Sequence, residues 1–308
     1  MFGSDLYISL VIGVVLSLIY AEKTGVLPAG LVVPGYLALI FDQPVFVLLV
    51  FLISFESVDF IHLLAEISIK TYESRVKHIG DLNFNHVPIK ELSSVDYAKE
   101  LSSDIFFNQL STSFSDDTLA AELDHSDTTH FVIYDENGTM VSATHSLSNF
   151  FGSGKYLEGF FLNNQLMNFS QVSSSPNSYE PGKRPRSFTA PRILVKDNQP
   201  VIGIGSPGGK RIPVVISHVL ILFLLHDIDF QTAIDAPRFF VEEGTLFIED
   251  RIPDKVKEEL IERDFDVVIK ESPVFFGGVQ GLTVHHDINK MSGGADPRRN
   301  GTWEIMND

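Results

Sequence analysis

The apolar positions divide this chain into a first stretch with no polar face and a longer one in which apolar and polar residues alternate. Residues 7–20 (YISLVIGVVLSLIY) are apolar or small almost without interruption, and a second apolar run leads from Val45 to Phe55, where Glu56 ends it. Neither run leaves a stripe of polar residues for water, so both suit a non-aqueous surrounding. Between them, Gly25, Pro28, Gly30, Pro34 and Gly35 would break a simple spanning helix and suit a kinked or re-entrant segment held among other helices. The run from Val45 is also shorter than the roughly 20 helical residues that a bilayer core requires. The pattern predicts a helical membrane segment over residues 1–55, without the basic start and small-residue cleavage site of a signal peptide.

After Glu56 the period changes. Ile61, Leu64, Ile67 and Ile69 form a helical apolar stripe, and the polar stretch from Gly80 to Asp127 carries loop signals at Gly80-Asp81 and at residues 111–117. Residues 56–127 therefore read as helix followed by loop. Beyond them, Phe131–Tyr134 and Met140–Ala143 flank Asp135-Glu136-Asn137-Gly138, a hairpin signal. Ile193–Val195 and Pro200–Ile204 flank Lys196-Asp197-Asn198-Gln199, a second one. Ile212–Leu225 reads as an apolar helix, Pro253–Arg263 as an amphipathic one and Asp266–Ile269 as a strand. The fold class that follows is α+β.

Composition narrows the possible chemistry. A formal charge of -17 over 308 residues argues against nucleic acid as a partner. The absence of Cys excludes disulfides and thiolate chemistry, and the ten His residues show no metal-ligand spacing, so neither metal nor cofactor is expected.

Candidate chemistry starts at Asp127-Thr128-Thr129-His130-Phe131. A Thr hydroxyl is a weak nucleophile without a neighbouring base, and its own α-amine becomes that base once the preceding peptide bond is cut. The first hairpin would return Ser146 and Ser148 to the side of Thr128, although two ordinary strand-end serines fit the same spacing. Asn163-Asn164-Gln165 with Asn168 could hold a polar substrate or cap a turn. Gly205-Ser206-Pro207-Gly208-Gly209 follows a strand and opens the Ile212 helix, an arrangement that suits an oxyanion hole or simply a tight turn. Lys183-Arg184-Pro185-Arg186 is a basic run in an acidic chain, either a solvated loop or a lure for a polyanion.

Taken in order, T-T-H-F-x-I-Y-D-E-N-G, F-G-S-G, F-L-N-N-Q, K-R-P-R-S, G-S-P-G-G-x-R-I, D-A-P-R-F and A-D-P-R-R-N-G resemble the γ-glutamyltranspeptidases, over about residue 56 to the end. The likeness is to the branch that depolymerises or transfers capsule poly-γ-glutamate. The first 55 residues, with M-F-G-S-D-L-Y-I, A-E-K-T-G, P-A-G-L-V-V-P-G-Y and D-Q-P-V-F, resemble the start of the small membrane subunit of bacterial poly-γ-glutamate synthase. The first resemblance implies an N-terminal-nucleophile hydrolase with an αββα sandwich, in which residues 128–308 form the small-subunit-like catalytic region and 56–127 the end of a large-subunit-like region. It implies self-cleavage at Asp127-Thr128 and a γ-glutamyl ester on Thr128, resolved by water or an amine. Ser146 falls where the family places a hydroxyl beside the nucleophile, and Gly208 and Gly209 match its oxyanion glycines. Ser148, Gln165, Asn168 and Ser187 fall at substrate-binding positions, and Arg186 is a further candidate from the basic run. The substrate implied is poly-γ-glutamate or a γ-glutamyl peptide, met at the cell membrane by a soluble part outside the cell and by the chain's own cleaved fragments.

Three positions depart from the family pattern. Asn168 replaces an Asp that pairs with a free α-amino group, Ser148 replaces an Asn, and Phe188 replaces a second serine. Asn168 suits a donor whose nitrogen is already an amide, as inside poly-γ-glutamate. Most of the family's large subunit has no counterpart here, as if two capsule genes had joined near Phe55/Glu56. The alternative expectation is thus a catalytically inactive membrane fusion protein with unpaired strand edges and an uncovered apolar face.

Overall fold

The computed structural model describes residues 57–103, 105–106 and 128–306. The apolar runs of residues 1–55 and Asp127 lie outside these. Among the described residues no helix is long and apolar enough to cross a membrane.

Helix α1 (Val58–His78) starts at Ser57, whose Oγ accepts from Phe60 N at 3.3 Å, and ends with Arg75, Lys77 and His78 in its last turn. A hydroxyl cap and a basic end complement the two poles of the helix. The helix is buried on more faces than its Ile stripe suggests, with Phe60, His62 and Glu66 all at 0 % exposure. Two short helices, α2 (Ile89–Leu92) and α3 (Val95–Ser102), interrupt the stretch read as loop. The second exists because Ser94 caps it, accepting from Tyr97 N at 3.2 Å.

Strands β1 (Thr128–Tyr134) and β2 (Met140–Ser146) form the first hairpin. Asp135 Oδ1 accepts from Asn137 N and Thr139 N at 3.0 and 2.8 Å, which closes the turn and fixes the pairing. A two-stranded ribbon, β3 (Tyr156–Leu157) and β4 (Phe160–Phe161), follows. The second hairpin, β5 (Arg192–Lys196) and β6 (Gln199–Gly205), turns through Asp197 and Asn198 at φ 52° and 63°, the left-handed pair that matches strand twist.

Helices α4 (Ile212–Leu225) and α5 (Phe230–Asp235) come next, then β7 (Phe239–Glu242), β8 (Thr245–Ile248), helix α6 (Asp254–Glu262) and β9 (Asp266–Ile269). Strands β10 (Gln280–His285) and β11 (Lys290–Ala295) complete an antiparallel sheet of order β11-β10-β6-β5. One face of that sheet meets α5, since a Cβ on Gly281 would lie 2.6 Å from the Phe230 ring. The other meets the β1–β2 hairpin. A smaller sheet, β7-β8-β9, packs on α1 and shares its core, where Phe60 meets Phe239 with centroids 6.4 Å apart.

The described residues thus form helices, a sheet and a hairpin in layers. The outer hairpin face carries Phe131, Ile133 and Val141 at 45, 55 and 45 % exposure, with no layer among the described residues covering it.

Candidate active site

Antiparallel pairing puts Thr128, the first residue of β1, directly opposite Ser146, the last of β2. Side chains of directly paired residues share a face, and Thr128 Oγ1 donates to Ser146 Oγ at 3.0 Å. Ser146 Oγ in turn accepts Ser148 N at 3.0 Å. Ser148 reaches this position by adopting φ 72° while 7 % exposed, a left-handed conformation that a non-glycine residue keeps only where its surroundings enforce it. Ser148 therefore meets the Thr128–Ser146 pair through its backbone.

The amide loop is tied to the same turn. Asn164 N donates to Leu147 O at 3.2 Å and Asn164 Oδ1 accepts Asn149 N at 3.0 Å, so the loop flanks both sides of Ser148. The 3-10 turn Gln165–Asn168 starts from this anchor, with both ends half-buried. Asn168 O accepts from Asn177 Nδ2 at 2.7 Å, and fully buried Asn177 passes the link on by accepting Arg186 N at 2.9 Å.

At the end of β6, Gly208 and Gly209 have φ 135° and 57° and lead through a 3-10 turn into α4. No residue with a side chain fits readily at Gly208, because a Cβ there would stand 3.0 Å from Gly277 Cα. Ser206, fully buried, locks this turn to the segment before β10: its Oγ donates to Pro207 O at 2.6 Å and accepts Gly278 N at 3.1 Å. Asp296 supports the other side of that segment by accepting Val279 N at 2.9 Å, and Arg238 and Arg298 both contact its carboxylate. Backbone amides at a helix start offer donors to a developing oxyanion.

Arg186 and Ser187 sit elsewhere. The Arg186 guanidinium donates to Arg75 O, Val76 O and Ile79 O at 3.3, 3.1 and 3.4 Å, closing the C-terminal end of α1. Ser187 Oγ exchanges a hydrogen bond with Thr189 Oγ1 at 2.9 Å. Both line a cavity of about 280 Å³ with Asp81, Arg184 and Arg192, and no residue of the Thr128 hairpin lines it. Arg184 donates to Asp81 from its main chain and its guanidinium, which holds the Asp81 carboxyl well below the usual carboxylate range. The Phe188 ring lies parallel to that of Tyr72 and meets Arg75, whose Cζ lies 3.8 Å from the Phe188 centroid.

Sequence reasoning gave no separate role to His130, Asn177 or Asp296, and named Asn164 and Ser206 only as members of the amide cluster and the glycine turn. The signal for His130 was present: two residues after Thr128 on a strand, it shares that residue's face. The Asn and Asp roles depend on contacts far apart in the chain and left no local mark.

Residues 50–306, well over half of the chain, match the sequence profile of the Gamma-glutamyltranspeptidase family. The chain belongs to the γ-glutamyltranspeptidase family. Its α+β fold is accordingly that of the N-terminal-nucleophile hydrolases of this family. Residues 12–73 match a second profile, Capsule biosynthesis CapC, and the two matches overlap across the start of α1. The Capsule biosynthesis protein CapD proenzyme of Bacillus anthracis is 44 % identical over 239 residues, which span 78 % of this chain and 43 % of that protein. The Glutathione hydrolase proenzyme of Bacillus subtilis (strain 168) is 30 % identical over 257 residues, again 78 % of this chain and 43 % of that protein. A crystal structure of the Bacillus anthracis transpeptidase enzyme CapD superposes with a TM-score of 0.50 at 47 % identity, covering 58 % of this chain and 99 % of that one. The chain therefore spans less than half the length of these curated relatives.

Proposed function

We propose that this chain is a γ-glutamyl hydrolase or transferase acting on poly-γ-glutamate of a capsule, with Thr128 as its nucleophile. The observation that carries the reading is the Thr128–Ser146 hydrogen bond of 3.0 Å at the mouth of a hairpin whose motifs follow the family order. Cleavage of the Asp127–Thr128 bond would free the Thr128 α-amine, whose ordinary pKa near 8 leaves a useful fraction unprotonated at neutral pH. That amine takes the hydroxyl proton as Oγ1 attacks the γ-amide carbon, and the Gly208 and Gly209 amides receive the oxyanion. Collapse breaks the C–N bond, the departing amine leaves with the proton, and a γ-glutamyl ester remains on Thr128. Water or an acceptor amine then attacks the ester and restores the hydroxyl. No metal or cofactor enters this scheme.

Gln165, Asn168 and the Ser148 backbone are assigned to the donor side of the site. Asn168 suits a donor nitrogen that is already acylated, as within the polymer. Ser187 and Arg186 line a separate cavity at the end of α1, and a substrate-binding role for them rests on the sequence alone. Residues 1–55 are assigned to the cell membrane, with residues 128–308 outside the cell. The CapD likeness favours the enzyme over an inactive fusion, and the CapD chain corresponds to a share of this chain about as long as the part that starts at Thr128.

The test is mass analysis of the full chain expressed in membranes, with Thr128→Ala beside it. Fragments ending at Asp127 and starting at Thr128 are expected for the parent and absent from the variant. A parent chain that stays whole while purified polymer remains uncut refutes the reading.

A further inference from the structure

The face of β1 that carries Thr128 also carries His130 and Val132, and it lies on a glycine track in β6. A Cβ on Gly203 would fall against Val132 and 2.9 Å from Met140 Sδ. A Cβ on Gly205 would clash with the His130 ring, 2.5 Å from Nδ1 and 2.6 Å from Nε2. Stepping back by two along β1 thus steps forward by two along β6. β6 ends at Gly205, and the same progression carried one step further would bring Thr128 toward Pro207, immediately before Gly208.

His130 is held rigidly in that contact. Thr144 Oγ1 lies 2.9 Å from Nδ1, Ser142 Oγ lies 3.4 Å from Nε2, and Ser142 Oγ donates onward to Ile204 O at 3.3 Å. A chain of donors follows in which Thr144 gives to Nδ1, Nε2–H gives to Ser142, and Ser142 gives to β6. The ring is 5 % exposed with no carboxylate among its hydrogen-bond partners, so it serves as a neutral spacer. Between Gly205 and Gly208 stand only Ser206, locked by two hydrogen bonds, and Pro207, with its fixed φ. A displacement at Gly205 has no soft joint to absorb it before the oxyanion turn.

We infer that His130 is a positioning residue, whose ring seated on Gly205 sets the separation between the Thr128 strand and the Gly208–Gly209 turn. The inference rests on the proposed roles of Thr128 and those glycines, and it adds the element that keeps them in register. Small displacements of reacting groups cost about 100-fold in rate, which sets the scale of the effect.

The test is a size-swap cycle in the full-length chain: Gly205→Ala, His130→Ala, and the two combined, each measured for kcat, KM and melting temperature. Gly205→Ala alone pushes the layers apart and is expected to lower kcat about 100-fold with little change in KM. Removing the ring makes room for the new methyl, so the double variant should regain at least about tenfold over Gly205→Ala. Recovery of kcat at a temperature where every variant is folded supports positioning. Additive losses, or a kcat that merely tracks melting temperature, overturn it. If the parent chain has no activity, the proposed function falls and the melting cycle still judges the contact: a double variant melting above Gly205→Ala supports it, and one melting at or below overturns it.

Discussion

Acidification from pH 7 to pH 4 should strip this fold of much of its stability through two imidazoles buried in neutral form. His130, between its hydroxyl partners and Gly205, is pushed down to about 4 by burial. His218 on α4 packs against the Phe60 and Phe239 rings at 5.5 and 5.3 Å, and burial, reinforced by Arg238, Arg298 and His226, pushes it down to about 3. In the unfolded chain both titrate near the ordinary 6.5. Between that value and the folded ones the unfolded state binds more protons, so stability falls as pH falls through this window. At 1.36 kcal/mol per unit, His130 and His218 each account for about 3 kcal/mol by pH 4, and His218 loses more only below it. Their sum rivals the whole stability of an ordinary domain, about 5–15 kcal/mol. The ion-paired carboxyls of Asp81 and Glu249 are held down in the folded state, and their contributions are lost only below about pH 4. The imidazole window therefore opens first and meets the carboxyl window near pH 4. Urea unfolding followed by circular dichroism in mild detergent, at half-unit steps from pH 7 to pH 4, measures the loss. His130→Gln should flatten the slope by its share. An unfolding free energy equal at pH 7 and pH 4.5 would refute the reasoning.

Three further outcomes follow from particular contacts. Ser146→Ala leaves Thr128 Oγ1 without its acceptor and should cut γ-glutamyl transfer about 10- to 100-fold, with Ser146→Thr restoring most of it, as steady-state rates would reveal. Gly208→Ala forces a Cβ toward Gly277 at φ 135° and disturbs an oxyanion donor, so kcat should fall about 100- to 1,000-fold with KM nearly unchanged. Arg186→Ala removes three bonds to the carbonyls at the end of α1 and should destabilise the chain by about 3 kcal/mol in denaturant titration.

Local signals led to the pieces of the site, and contacts distant in sequence assembled them. The Asn137-Gly138 turn and the alternation around it were enough to place Ser146 opposite Thr128, because a closed hairpin leaves no freedom of register. The apolar run Ile212–Leu225 became α4 with those same bounds, since a helix buried from Ile212 to Leu222 needs no polar stripe. Arg186 shows a limit of local reading: a basic run in a surface-like sequence gives no hint that this member is 7 % exposed and donates to helix carbonyls. Strands β7, β8, β10 and β11 were not read at all. Their residues pair with partners fixed by the sheet, and Gly281, Gly293 and Gly294 weaken the strand pattern exactly where Phe230, Ile234 and Trp303 need room. The face of Phe131, Ile133 and Val141, uncovered among the described residues, is in keeping with the uncovered apolar face expected where most of the large subunit has no counterpart.

The central claim is that Thr128 carries the γ-glutamyl group. Incubating the full-length chain with a γ-glutamyl anilide, quenching in acid and mapping peptides by mass spectrometry tests it directly. The account predicts a peptide that begins at Thr128 and is heavier by one glutamyl residue, lost again when an amine acceptor is added before the quench. An adduct on another residue, or chromophore release with Thr128 still joined to Asp127, would contradict it.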